Sequence, residues 1–402
     1  MKIGYLIPGC GISGGIAVVC QHANRLLKRG HDVIIISETM EKDIHWFPNQ
    51  EVPIITIDEY ENNLDILVAT GWSTSFKVVN LPANHKCYFV QSDETRFHEN
   101  NSTWQHITAL SYLLNFNFFT EAQWIQKWLK QYFNHSAELI PNGLDEKIFF
   151  PDKPLAPKKQ KPRILLEGAI ALPYKGMSDA FEAVKDLDAE IWCVSSLGKP
   201  KPDWRCDRFF SQVPMEMMRR IYSSCDILLK LSRVEGFFGP PLEMMACGGV
   251  VVVGKVSGYD EYIVDGHNAL VVEPGDIPST TAAIKELINN IPLRQSLTQN
   301  GFETVKAWGW ENSIVKLERY FLNLNQNIET YPPNNVRSLS DQGIALTYDM
   351  IANGHMRYNN WEPSVFTEPI DKLLYRIRNV GLAKKTANLI YAIYKMLARL
   401  KS

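Results

Sequence analysis

Two carboxylates bracket a glycine turn in residues Glu235 to Gly248, EGFFGPPLEMMACG, and the turn runs straight into a segment opened by Pro240 and Pro241. Proline fits the first helical turn, where a missing N–H costs nothing, so the spacing predicts a helix beginning there. The free N–H groups and positive dipole end of such a helix favour a phosphate at the Phe238-Gly239 turn. Glu235 falls on the loop before the helix, and Glu243 is expected in its first turn. A carboxylate accepts hydrogen bonds and repels phosphate oxygens, so both acids are expected to hold hydroxyls on either side of the phosphate. A ligand with the order hydroxyl, phosphate, hydroxyl is a nucleotide sugar.

A second glycine-rich run, Gly9-Cys10-Gly11-Ile12-Ser13-Gly14, matches G-x-G-x-x-G between an expected strand and an expected helix. With Glu38 ending the next strand as a ribose ligand, the run alone points to an NAD(P)-dependent oxidoreductase. A tight turn that merely needs glycine is the plainer alternative. A dehydrogenase has no use for the paired glutamates and glycine turn of the second half.

The elements that must position these residues alternate strand and helix. Strands are expected at Lys2-Ile7, Val33-Ser37, Asp65-Thr70, Cys87-Val90 and Glu138-Ile140, with a helix over Ile16-Arg29 stopped by Gly30. Their continuous apolar runs are those of buried parallel strands. PDKPLAPKKQKP, residues 151–162, reads as a linker. Beyond it, strands are expected at Arg163-Glu167, Glu190-Ser195, Ile227-Leu231, Val250-Val253 and Ala269-Val272. The reading is an α/β chain of two Rossmann-like, doubly wound parallel-sheet domains, residues 1–150 and 151–322, facing a cleft. Ligands of such sheets sit at the carboxyl ends of the strands.

Residues 323–402 read as a C-terminal extension: a polar stretch without a clear period over Asn323-Trp361, taken as a strap, then a helical pattern over Asp371-Ser402. That helix has Leu382, Leu389, Ile393 and Leu397 on one side and Lys384, Lys385, Lys395 and Arg399 largely on the other. Such a helix either lies on an anionic membrane or docks on the protein's own surface.

At 402 residues the chain is long enough for two to three domains, and 45% hydrophobic content supplies their cores. The net charge of −2 excludes the basic excess of a nucleic-acid binder. Seven scattered cysteines without a C-x-x-C pair read as reduced core residues, which points to the cytoplasm. Met1 leads straight into a strand, so no secretory leader is expected. Asp186-Leu187-Asp188 is the chain's D-x-D, but it precedes a strand at the end of the sheet away from ligands, so no metal site is assigned to it.

The segment LSRVEGFFGPPLEMMACGGVVVV, followed by SGYDEYIVDGHNALVVEPGD, resembles the donor site of the retaining GT-B glycosyltransferases of family 4, GT4, whose signature is E-x7-E. Glu235 and Glu243 stand at that spacing, and the resemblance extends from Met1 to about Phe321. Among those enzymes the chain looks most like bacterial rhamnosyltransferases of surface polysaccharide synthesis.

The resemblance implies retaining transfer of a hexosyl or deoxyhexosyl group from a nucleotide diphosphate sugar to a saccharide or lipid-linked saccharide. It implies no metal or other cofactor, and an enzyme at work in the cytoplasm, at the inner face of the membrane if the C-terminal helix binds there. By it, Glu235 orients the donor sugar, Glu243 takes the ribose hydroxyls, and Lys175 clamps the leaving diphosphate. The family's second cation falls at Ala169 and is missing, leaving Arg233 as a candidate to compensate. Gly14 and Gly15 let the backbone approach the donor or acceptor, and Phe238, Gly239 and Pro240 complete the donor site. Gln91, Asp93, Glu94 and His98 are acceptor-side candidates, with Thr70-Gly71-Trp72 nearby, and Pro141-Asn142-Gly143-Leu144-Asp145 resembles the turn that ends the first domain. A protein that binds the sugar nucleotide or a polysaccharide without catalysis stays open as a further reading.

Overall fold

Apolar runs that alternate with helices build two parallel sheets in the computed structural model, which describes residues 1–326, apart from Asn62 and Lys159, and residues 336–352. The first sheet comprises β1 (Lys2–Ile7), β2 (Asp32–Ser37), β3 (Ile54–Thr56), β4 (Leu64–Ala69), β5 (Ala83–Val90), β6 (Asn117–Thr120) and β7 (Glu138–Leu139). Its order is β3-β2-β1-β4-β5-β6-β7, and α1 (Gly14–Lys28), α2 (Trp72–Val78), α3 (Thr103–Ser111) and α4 (Gln123–Phe133) join its strands. The second sheet comprises β8 (Arg163–Glu167), β9 (Glu190–Ser195), β10 (Arg208–Ser211), β11 (Ile227–Lys230), β12 (Val250–Gly254) and β13 (Leu270–Val272). Its order is β10-β9-β8-β11-β12-β13, with α5 (Met177–Val184), α6 (Met215–Ser224), α7 (Gly239–Ala246), α8 (Ile277–Asn289) and α9 (Ile291–Lys306) between and after the strands. Each sheet reverses direction of growth once, between β1 and β4 and between β8 and β11. A crevice opens at such a reversal, at the carboxyl ends of the strands.

Local chemistry accounts for the boundaries. Ser13 caps α1 by accepting the Ile16 N–H at 3.4 Å, and Gly30, at φ +90°, ends it in a left-handed turn. Ile16, Val19, Ala23 and Leu26 form its buried stripe. In β11, Ile227, Leu228 and Leu229 are fully buried, each worth about 1.5–3 kcal/mol of apolar transfer. β3, β6 and β10 were not among the expected strands, being three or four residues long.

α10 (Trp310–Gln326) closes the residues assigned by sequence to the second domain, yet it packs against the first sheet. Phe321 meets Phe119 edge-on at 5.7 Å, and Glu318 pairs with Arg29 at 2.7 Å and with His31 at 2.9 Å. The polar stretch expected as a strap is instead helical over α11 (Val336–Ala352). Among its described side chains the buried positions, Asp341 and Ala345, lie one turn apart, and Asp341 accepts the Asn115 N–H at 3.3 Å. An acid and an alanine facing the protein leave no hydrophobic period to read. Met1–Ala345 forms one unit, and α11 continues to Ala352. Residues 371–402 lie outside the described residues. Among the described residues no helix is long and apolar enough to cross a membrane.

The return of α10 depends on the Pro141-Asn142-Gly143 turn. Leu144 N donates to the Trp308 carbonyl at 2.6 Å, and a Cβ on Gly143 would lie 2.6 Å from Trp310 N. Gly143→Ala is therefore expected to destabilise the chain by about 1–3 kcal/mol through overpacking. A fall in thermal midpoint checks this, and an unchanged midpoint contradicts it.

Candidate functional site

The reversal between β8 and β11 carries charge where an apolar pair would be expected. Lys230, the last residue of β11, is 2% exposed, and its ammonium donates to the Glu167 carboxylate and, at 3.3 Å, to the Glu167 carbonyl at the end of β8. The same Nζ stands 3.9 Å from Glu235 Oε1. Burying a lysine among strand residues costs several kcal/mol unless it is paired, and here one cation serves two acids.

Lys175 reaches the same acid from the other side. It ends a short turn, Pro173–Lys175, and Gly176 then adopts φ +63° with its Cα pressed on β11's exit: a Cβ there would lie 2.1 Å from the Leu231 carbonyl. Arg233 N donates to the Tyr174 carbonyl at 2.7 Å, which holds the turn against the loop. Lys175 Nζ lies 2.8 Å from Glu235 Oε1, with the two side chains 22% and 11% exposed. Burial alone would raise the Glu235 carboxyl, but Lys175 and then Lys230 outweigh it and hold it below its ordinary value. Glu235 is thus a carboxylate that presents itself to the crevice with its charge already balanced.

α7 begins at Gly239, capped by Phe238, with both prolines inside its first turn. Two expectations need correction. Glu243 lies in the second turn, not the first, so the dipole at the helix start does not explain its presence. Nor does the tip offer free N–H groups over its first three residues: Pro240 and Pro241 have none, and Gly239 N donates to the Phe237 carbonyl at 2.9 Å. Two consecutive prolines preorganise the turn at the cost of the donors that would grip an anion. The cations beside this loop are Lys175 and Lys230, both on Glu235. Glu243, half-buried, accepts from the Tyr222 hydroxyl at 3.1 Å. Burial, then the neighbouring Glu167, push its carboxyl up to about 7.

The remaining sequence candidates divide. Arg233 is 53% exposed and places its guanidinium on Asp179 at 2.6 Å. Gly14 opens α1 with open space about it, whereas a Cβ on Gly15 would lie 2.9 Å from Gln91 Oε1. Gln91 donates to the Thr70 carbonyl at 2.9 Å while its Oε1 is buried without a partner. His98, its Nε2 likewise unpartnered, sets its ring edge-on to Trp72 at 5.4 Å, and burial lowers its pKa. Asp93 caps its own turn by accepting the Thr95 N–H at 3.2 Å. Glu94 accepts from Trp72 N at 2.8 Å and the Tyr88 hydroxyl at 3.0 Å, so it ties the start of α2 to β5. Burial raises the Glu38 carboxyl, and its Oε1 has no partner. Asp188 pairs with Lys161 at 2.6 Å ahead of β9, away from these groups.

Spacing alone does not single out Lys230, Glu167 or Glu121. A lone lysine in the run ILLKL was the available signal for the first. Glu167 ends a strand, where a solvated acid is the ordinary expectation.

Residues 208–304 match the family described as Glycosyl transferases group 1. An uncharacterised glycosyltransferase of Methanocaldococcus jannaschii is 26% identical over 212 residues, 51% of this chain and 58% of that protein. The O-antigen biosynthesis protein RfbC of Myxococcus xanthus is 24% identical over 269 residues, 64% of this chain but 21% of its own length. The match thus spans well under two thirds of either relative. Among solved structures, Anabaena HepE in complex with UDP and glucose superposes with a TM-score of 0.67 at 13% identity, over 80% of this chain and all of the other. The two parallel-sheet α/β halves of this chain adopt the GT-B fold.

Proposed function

We propose that this chain is a retaining, metal-independent GT4-type glycosyltransferase. It moves a hexosyl or deoxyhexosyl group, rhamnosyl being the leading candidate, from a nucleotide diphosphate sugar to a saccharide in surface polysaccharide synthesis. The observation that carries the reading is Glu235 held as a carboxylate between Lys175 and Lys230 at the reversal point of the second sheet. The family match over 208–304 encloses that acid, and UDP bound to a solved structure of the same fold supports a nucleotide donor.

In this reading the diphosphate takes up the lysine charge that Glu235 and Glu167 now balance. As the glycosidic C–O bond breaks, negative charge grows on the leaving phosphate, and fixed cations stabilise that state more than the ground state. Glu235, released from part of its pairing, accepts hydroxyls of the sugar and orients the ring. The acceptor oxygen bonds to the anomeric carbon on the face the diphosphate leaves, and its proton passes to the departing phosphate oxygen. Glu243 takes ribose hydroxyls, and Gln91 and His98, with unpartnered buried atoms, face the acceptor. The work takes place in the cytoplasm.

A thermal-shift panel of UDP, dTDP and GDP with their sugars tests the donor site, because a ligand that binds the native state alone raises its midpoint. For the nucleotide that binds, Lys175→Ala and Lys230→Met are each expected to weaken affinity about tenfold or more, as lost charge-assisted hydrogen bonds do. Equal affinity in both variants contradicts the assignment of the lysines. Glu235→Ala is expected to keep nucleotide binding and lower kcat by about 100- to 1000-fold, measured by product formation. Unchanged turnover removes Glu235 from the mechanism.

A further inference from the structure

Successive backbone groups of the loop that carries Glu235 are bonded by side chains of the first half of the chain. Ser92 Oγ donates to the Glu235 carbonyl at 3.4 Å, and the Trp124 indole N–H donates to the Gly236 carbonyl at 2.9 Å. Phe237 N donates to Glu121 Oε1 at 2.8 Å. Upstream, Arg96 Nη2 donates to the Arg233 carbonyl at 2.8 Å. The approach is close enough to demand glycine: a Cβ on Gly236 would lie 1.7 Å from the Gln91 carbonyl oxygen.

Glu121 differs from the other partners in being a carboxylic acid. It follows β6 directly and is 5% exposed, and its second oxygen accepts from Asn142 Nδ2 at 2.7 Å. The charged group that faces it is Glu235, itself paired with Lys175, while the Phe237 amide and Asn142 are neutral. A carboxyl so buried beside another acid is an expensive way to accept two hydrogen bonds. What it secures is the amide two residues beyond Glu235.

We propose that Glu121 is a positioning residue that clamps the Phe237 N–H from the opposite half of the molecule, so that Glu235 is set in place only when the two halves are closed on each other. The proposal rests on the glycosyl-transfer reading for its purpose, but its geometry can be tested without turnover. Burial, and secondly the charge of Glu235, push the Glu121 carboxyl up to about 8 from its ordinary 4.5. Once the halves part, Glu121 meets water and returns toward the lower value. Closure therefore takes up a proton between those values: it weakens by up to about tenfold per pH unit as pH rises through the window, and levels off above it.

The protonated acid keeps both bonds. Oε1 accepts from Phe237, and the carboxyl proton goes to Asn142 Oδ1, buried without a partner as the amide now stands, once that amide turns over. Glu121→Gln reproduces this arrangement with no proton to lose.

Hydrogen-exchange mass spectrometry on the unliganded full chain reads the clamp directly, through a peptide covering residues 233–238 and corrected for intrinsic exchange. In the wild type its protection is expected to fall as pH rises from about 6 to 8. Glu121→Gln is expected to keep the protection and lose the pH dependence. Glu121→Ala is expected to lose about tenfold or more at every pH, with peptides of β11 and α7 unchanged. Protection in Glu121→Ala equal to wild type, or a Gln variant as unprotected as the Ala variant, overturns the proposal. Should Glu121→Ala fold poorly, Gly236→Ala forces the halves apart by clash alone, and retained protection there has the same meaning. A UDP thermal shift on the same samples separates the two readings: no shift in the wild type counts against the donor site, whereas the exchange pattern alone judges the clamp.

Discussion

A buried ammonium shared between two carboxylates governs the site. Lys230 has left water entirely, and its desolvation is offset only because Glu167 and Glu235 stand on either side of it. Removing Glu167 would leave the ammonium without its nearer acid among the strands of a parallel sheet. Lys175 completes the balance from a turn that Gly176 alone can make. In the proposed reading, an arriving diphosphate takes the place of carboxylates at the lysines, and that exchange of partners is what would distinguish the group from a structural salt bridge.

The rest of the architecture keeps this group aligned. β8 and β11 bring Glu167 and Lys230 side by side because the sheet reverses its order there. The first half touches the loop after β11 with Ser92, Trp124, Glu121 and Arg96, and Phe97 stacks on Tyr174 at 5.2 Å beside Lys175. α10 crosses back onto α1 and the first sheet, so the halves are joined by chain as well as by contact. In the proposed reading, closure of this kind excludes water, which strengthens every charge inside and protects an activated donor from hydrolysis.

Much of this was legible in the residues. The apolar runs IGYLI, ILLE and VVVV placed strands because both faces of a parallel sheet are covered, and the E-x7-E segment located the loop and helix α7. The GT-B expectation holds in the two parallel sheets and their order. Other features depend on tertiary neighbours that spacing cannot reveal. Lys230 reads as one polar residue at a strand end until β8 supplies Glu167, and Glu121 is unremarkable until the second half supplies Phe237. The short strands β3, β6 and β10 are too brief to carry a period, and α11 buries an acid and an alanine where a period needs large apolar side chains. The proline pair was read correctly as a helix start, yet those same residues removed the N–H groups that were expected to face the phosphate.

The central claim is that Lys175 and Lys230 together receive a diphosphate beside Glu235. A crystal structure of the chain soaked with the nucleoside diphosphate that binds it most tightly tests this directly. The account predicts phosphate oxygens within about 2.7–3.1 Å of both Nζ atoms, at the reversal between β8 and β11. A nucleotide bound elsewhere, with both lysines still paired to their acids, would contradict it.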